Sequence, residues 1–138
     1  MSIHQALKDL SEELLLFDNV MDKYEYIIEL GKSLPSMDIK YKTNTYLVQG
    51  CQSQVWLHSY LKDGLVYLEA DGDALIVRGL IHILIRIYSG HKAKDILQIK
   101  PLDLKCLGLL EIISQGRQNG VASMLKNIYD YAREVDNA

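Results

Sequence analysis

Apolar residues recur along this chain at two different spacings, and the change of spacing divides it into parts. Ile3, Leu7, Leu10 and Leu14 fall at three- and four-residue intervals, the period of an amphipathic helix. Val20, Tyr24, Ile27 and Ile28 repeat it in a second helix, whose end Gly31 and Pro35 bracket. Leu34 to Lys42 has no period and reads as a loop. The spacing then turns strand-like. Thr43 to Val48 and Gln54 to Leu61 are rich in β-branched and aromatic residues, and Leu65 to Ala70 follows Asp63-Gly64, a strong hairpin pair. Three strands in a row with short connections predict an antiparallel meander. After Asp71-Gly72-Asp73 the helical period returns. Ala74 to Ser89 is apolar on most sides, with Asp73 as its expected N-cap and Gly90 as its stop. Arg78, His82 and Arg86 lie four apart on it and read as its wet face, with a cationic docking stripe as the alternative. Lys92 to Leu97 reads as a short helix and Pro101 to about Leu110 as another. Val121, Leu125, Ile128 and Ala132 mark a last helix, preceded by Gly116-Arg117-Gln118-Asn119-Gly120. Strands and helices are segregated. The expectation is therefore α+β: a three-stranded antiparallel sheet with helices packed on one face.

Length and charge narrow the function. The 138 residues suit one domain, residues 1–138, that buries roughly two-thirds of its unfolded surface. A net charge of −3 argues against nucleic acid as the main partner, because phosphate binding needs a concentrated positive field. The apolar run Ala74 to Tyr88 is too short to span a bilayer and is broken by Arg78, His82 and Arg86, so no membrane partner is expected. Two cysteines, Cys51 and Cys106, do not make a disulfide framework. The first residues lack a basic stretch followed by an apolar one. A thiol-reducing, cytoplasmic setting is the expectation.

Most chemistries find no support. The scattered Cys, His and Asp residues show no CxxC or HxxxH spacing for zinc, and two thiols are too few to hold an iron–sulfur cluster within one chain. No phosphate-binding glycine motif is present, and Gly116 and Gly120 read equally well as helix caps. His58 reads as a half-exposed strand residue rather than a general base. No cofactor is expected. What remains is Cys51, between two predicted strands and directly after Gly50. A thiol on a loop is placed to react, although a free cysteine is also a common small buried hydrophobe. As a nucleophile it needs hydrogen-bond donors or a positive charge. Ser53 and the amides of Gln49, Gln52 and Gln54 are the candidates in sequence, and Arg117 only through the fold.

Gly50-Cys51-Gln52-Ser53-Gln54-Val55-Trp56 resembles the signature of the SufE family of cysteine desulfuration proteins. Three further blocks resemble the same family in the same order: Tyr24 to Gly31 with Leu34-Pro35, Asp71 to Ala74 with Ile76-Val77 and Gly79-Leu80-Ile81, and Arg117 to Gly120 with Met124. The resemblance implies a fold shared with IscU-type scaffolds, whose additional cysteine ligands have no counterpart here. It implies that Cys51 takes sulfur, as a persulfide, from a pyridoxal-phosphate-dependent cysteine desulfurase and hands it to an iron–sulfur assembly scaffold. That is a sulfur-transfer accessory rather than a free-standing enzyme. Gly50, Gln52, Ser53, Asp73 and Arg117 would support the loop or face the partner, and Cys106 matches no family motif. Gly72 stands where the family commonly has Ser, and Ser114-Gln115-Gly116 where Ser-Pro-Ser is usual. Two rival classes stay open: a regulatory subunit in which Cys51 is incidental, and a scaffold that builds a cluster between two chains. The oligomeric state, monomer or homodimer, is open as well.

Overall fold

The computed structural model describes all of residues 1–138. The elements are α1 (Ile3–Leu15), α2 (Val20–Ser33), β1 (Val55–Lys62), β2 (Leu65–Gly72), α3 (Leu75–Tyr88), α4 (Ala93–Ile96) and α5 (Gln115–Asp136). Short 3-10 turns occupy Ile39–Tyr41, Pro101–Leu107 and Leu109–Glu111. Ser2 and Asn19 cap the first two helices through side-chain oxygens that accept backbone N–H groups of Gln5 and Asp22, which fixes where each helix starts.

The sheet has two strands, not three. β1 and β2 pair antiparallel in register from Val55↔Gly72 to Lys62↔Leu65. Asp63 and Gly64 both have positive φ, 53° and 79°, which matches the right-handed twist of a two-residue hairpin. Thr43 to Val48 contributes only a single bridge, Leu47↔Trp56. Its β-branched residues favour a strand, but Asn44 lies in a turn instead. The Tyr46 and Leu47 N–H groups bond back to the Thr43 and Asn44 carbonyls. Two backbone bonds, from the Leu57 N–H to the Tyr46 carbonyl and from the Val48 N–H to the Val55 carbonyl, and a group of rings hold the segment to β1 in place of a full third strand. Its Tyr46 ring meets His58 edge-on at 5.1 Å, and the Tyr41 ring of the preceding 3-10 turn stacks on the same His58 at 4.0 Å. The free edge of β2 is covered too, with Val66 exchanging backbone bonds with His91 and Gly90.

One face of the hairpin carries Val66, Leu68 and Ala70, all buried, and α3 lies across it. α3 is the centre of the molecule: Ile76, Val77, Leu80, Ile81, Ile83, Leu84 and Ile87 all belong to the core. α2 and α3 touch backbone to backbone. A methyl on Gly79 would overlap the Ile27 carbonyl and come within 2.6 Å of its Cγ2, while one on Gly31 would strike the Leu75 carbonyl and sit 2.8 Å from the Gly79 nitrogen. Backbone cannot step aside as a side chain can. Gly79→Ala is therefore expected to cost about 3 kcal/mol, the upper end for overpacking. A thermal melt with no loss of Tm would contradict this crossing.

The Arg78, His82, Arg86 stripe is a wet face only at Arg86, which is exposed, while Arg78 and His82 are half-buried. It faces α1 and α2. Arg78 donates to the Asp71 carboxylate and to the Gly31 and Leu34 carbonyls, and Arg86 pairs with Glu13 at 2.5 Å. His82 lies between them, and burial pushes its pKa down. A long polar side chain can cross a helix interface when carbonyls and carboxylates are waiting, and hydropathy period alone does not reveal that.

Two further corrections concern α3 and α5. Asp73 does not cap α3. The N-cap is Ala74, with no side-chain bond, and the Asp73 carboxylate accepts the Gln54 N–H at 3.2 Å instead. α5 begins at Gln115, capped by Ser114, so Gly116 and Gly120 lie inside the helix rather than before it.

Candidate functional site

The chain from Gln49 to Ser53 leaves the end of the aromatic-pinned segment and returns into β1. Both hinges are tied. Val48 N–H bonds to the Val55 carbonyl at 2.8 Å, and Gln54 exchanges bonds with Asp73, its N–H to the carboxylate and its carbonyl from the Asp73 N–H, both at 3.2 Å. Asp73 is thus a hinge clamp for the cysteine loop. Gly50 holds φ +86°, which no ordinary side chain adopts cheaply, and so turns the chain towards α5.

Cys51 is half-buried against the first turns of α5. Its thiol donates to the Gly120 carbonyl at 3.8 Å. Neither Ser53 nor the glutamine amides supply the sulfur's partner, contrary to expectation. Around the thiol is a small niche of about 20 Å³, with Val55, Val77, Leu80, Val121 and Met124 among its walls. About 10–15 Å³ of such space holds one water, so the niche has room for one further small atom and little else. Burial raises the Cys51 pKa above its ordinary value, because a charged sulfur would lose its water in these surroundings. With the loop in this position Cys51 is a sheltered thiol whose charged form is disfavoured.

Of the residues expected from sequence, Gly50, Gln52 and Arg117 come together with Cys51. Arg117 lies beside the niche and forms no salt bridge. Ser53 follows the cysteine without touching it by hydrogen bond. Cys106 is exposed, in the 3-10 turn, and unpaired. What sequence reasoning missed is the seat on α5. Gly120 backs the thiol, and a methyl added to it would fall 3.5 Å from Sγ, while Gly116 lies under Gln52. The signal is present in the sequence as two glycines four apart. They look like helix ends only when the helix is taken to start after them. No group of three or more His, Cys, Asp or Glu converges to hold a metal ion, and no helix is long and apolar enough to cross a membrane.

The class is thus an α+β protein that presents one cysteine on a two-hinged loop over the start of its last helix. Comparison with known proteins places the chain within it. The model of the SufE, Fe-S metabolism associated domain matches residues 8–132. An uncharacterized SufE-like protein of Rhizobium meliloti is 41% identical over 128 residues, covering 89% of this chain and 91% of that one. The Arabidopsis thaliana SufE-like protein 1, chloroplastic/mitochondrial, is 38% identical over 129 residues, covering 90% of this chain and 34% of its own longer one. A solution structure of a hypothetical protein from Thermus thermophilus superposes with a TM-score of 0.80 at 18% identity over 96% of this chain and 97% of that one, which concerns the fold alone. The chain belongs to the SufE family, a family of Fe–S metabolism.

Proposed function

We propose that Cys51 is a carrier of sulfur. It takes the outer sulfur of a persulfide on a cysteine desulfurase, a pyridoxal-phosphate enzyme, and passes it to an acceptor thiol of an iron–sulfur assembly scaffold. The Cys51 thiolate attacks the outer sulfur of the donor's Cys–S–SH. A new S–S bond forms at Cys51, the donor's S–S bond breaks, and the donor cysteine leaves as a thiolate that regains a proton. The second transfer repeats the exchange with Cys51 as the leaving thiol. Neither step needs an outside oxidant or reductant. The whole chain acts as one such unit, in a cytoplasm that keeps both cysteines reduced.

The observation that carries this reading is the niche beside Sγ. A persulfide is a thiol with one more sulfur atom, and a pocket with room for one atom shelters that sulfur from reductants. The raised pKa fits the same use, since a resting thiol kept neutral does not react with stray electrophiles. The test is to mix the protein with a desulfurase and cysteine and to weigh the Cys51 peptide. One added sulfur is expected, and none would sink the proposal. Gly120→Ala gives a second test, because its methyl would fill the niche without touching the loop hinges. The persulfide on that variant is expected to be lost to added thiol about tenfold faster, an energy of about 1.4 kcal/mol. An unchanged lifetime would show that the niche does not shelter the sulfur.

A further inference from the structure

Between the tied hinges, none of residues 49–53 is held by a well-formed backbone hydrogen bond. Something else keeps the loop down on α5. Gly50, Cys51 and Gln52 come close to residues 123, 120 and 116, one face of the helix. Gly50 approaches the Ser123 hydroxyl, where a methyl on the glycine would be 2.8 Å from Oγ, and Cys51 rests on Gly120. The Gln52 side chain lies on the bare backbone of Gly116. A methyl on Gly116 would be 2.5 Å from Gln52 Nε2 and would overlap its Oε1 and Cδ outright. Any side chain at Gly116 would force the Gln52 amide to move.

We propose that Gln52, seated on Gly116, is a positioning residue that latches the Cys51 loop shut and so sets how fast the thiol meets a donor. Gln52 follows the cysteine directly, so its contact with α5 restrains the backbone that carries Sγ. The latch is weak by construction. Gln52 is itself exposed and forms no hydrogen bond on α5, so its hold is contact alone, and a partner that competes for that surface releases it.

The distinguishing feature of Gly116 is that its φ is ordinary for a helix. Alanine there removes the seat and at the same time improves the first turn of α5, since glycine is the poorer helix former. Gly116→Ala and Gln52→Ala are each expected to raise the alkylation rate of Cys51 by iodoacetamide about tenfold, or about 1.4 kcal/mol of lost closure. The rate is read peptide by peptide in the full-length protein, with the exposed Cys106 as internal reference. Tm of Gly116→Ala is expected to be equal to or above wild type, an outcome that a purely structural role for the glycine would reverse. Cys51 rates within twofold of wild type in both variants would overturn the latch, as would an equal rise at Cys106, which marks general loosening. The consequence for sulfur transfer rests on the proposed role of Cys51, but the alkylation readout does not. A wild-type protein that takes no sulfur would end that role and leave the latch standing, while unchanged alkylation would end the latch and leave the role.

Discussion

Cys51→Ser is expected to abolish sulfur uptake from a desulfurase and to return that enzyme's turnover to its unstimulated rate. Serine keeps the size of the side chain and can still donate to the Gly120 carbonyl, so the loop and the fold should persist. What disappears is the nucleophile, because a hydroxyl does not displace a thiolate from a persulfide. Cys106→Ser should behave as wild type, since that thiol is exposed and lies outside the niche. The pair of variants separates the three classes of function. Stimulation retained by Cys51→Ser would instead favour a regulatory subunit. Visible absorbance that depends on iron and on Cys51 would favour a cluster scaffold. The pH dependence gives an independent check. Burial raises the Cys51 pKa, so alkylation of the free protein should keep climbing above the ordinary thiol value of about 8.5 rather than level off there. A bound desulfurase that opens the loop removes the burial and should move that curve back down.

Asp71→Ala is expected to destabilise the protein by about 3–5 kcal/mol, the cost of stripping one partner from a buried ion pair. That is a large share of the roughly 5–15 kcal/mol that holds a domain folded, so the urea midpoint should fall steeply. Asp71 is 1% exposed and gathers four donors: the Met37 and Gly72 N–H groups, Lys42 and Arg78. Through them it joins the loop after α2, the end of β2 and α3. On removal Lys42 can turn to water, but Arg78 is mostly enclosed and keeps only the Gly31 and Leu34 carbonyls. Burial by itself would raise the Asp71 pKa. Hydrogen bonds from Lys42, Gly72 and Met37, with the charge of Arg78, outweigh it and leave the net pKa lowered. A carboxyl whose folded pKa lies below its unfolded value, near 3.9, stabilises the protein above that value and loses the contribution as pH falls through the folded pKa. The gap between wild type and variant should therefore be full at neutral pH and narrow below about pH 4. Trp56, the chain's one tryptophan, pairs with Asp71 across the hairpin and lies under Lys42 at 5.6 Å, so its fluorescence reports the loss directly. A midpoint that does not move would contradict the ion-pair account.

The hairpin shows how far local pattern reaches. Asp63-Gly64 and the runs on either side specify β1, β2 and their register, because a two-residue turn fixes both twist and pairing. Thr43 to Val48 has the same composition but a different outcome. Its backbone is committed to turns at Asn44, and its Tyr46 ring meets His58 of β1 edge-on, a contact that composition does not reveal. The Arg78 stripe is similar. A period of four says which residues share a helix face, not whether carbonyls of another helix will meet them. Asp73 has the residue type of a cap but acts as a clamp, since Gln54 offers an N–H that only tertiary contact brings near.

Sequence alone determined that Cys51 sits on a loop beside a strand, that the chain is α+β, and, through four blocks of residues, its family. Those follow from short-range spacing and from residue types that local backbone geometry demands. Only the tertiary structure decided what surrounds the sulfur: the one-atom niche, the Gly120 carbonyl, and the bare backbone of Gly116 under Gln52. Those residues lie about seventy positions from the loop, and a cavity is a property of the faces that meet there, which no one stretch of chain encodes.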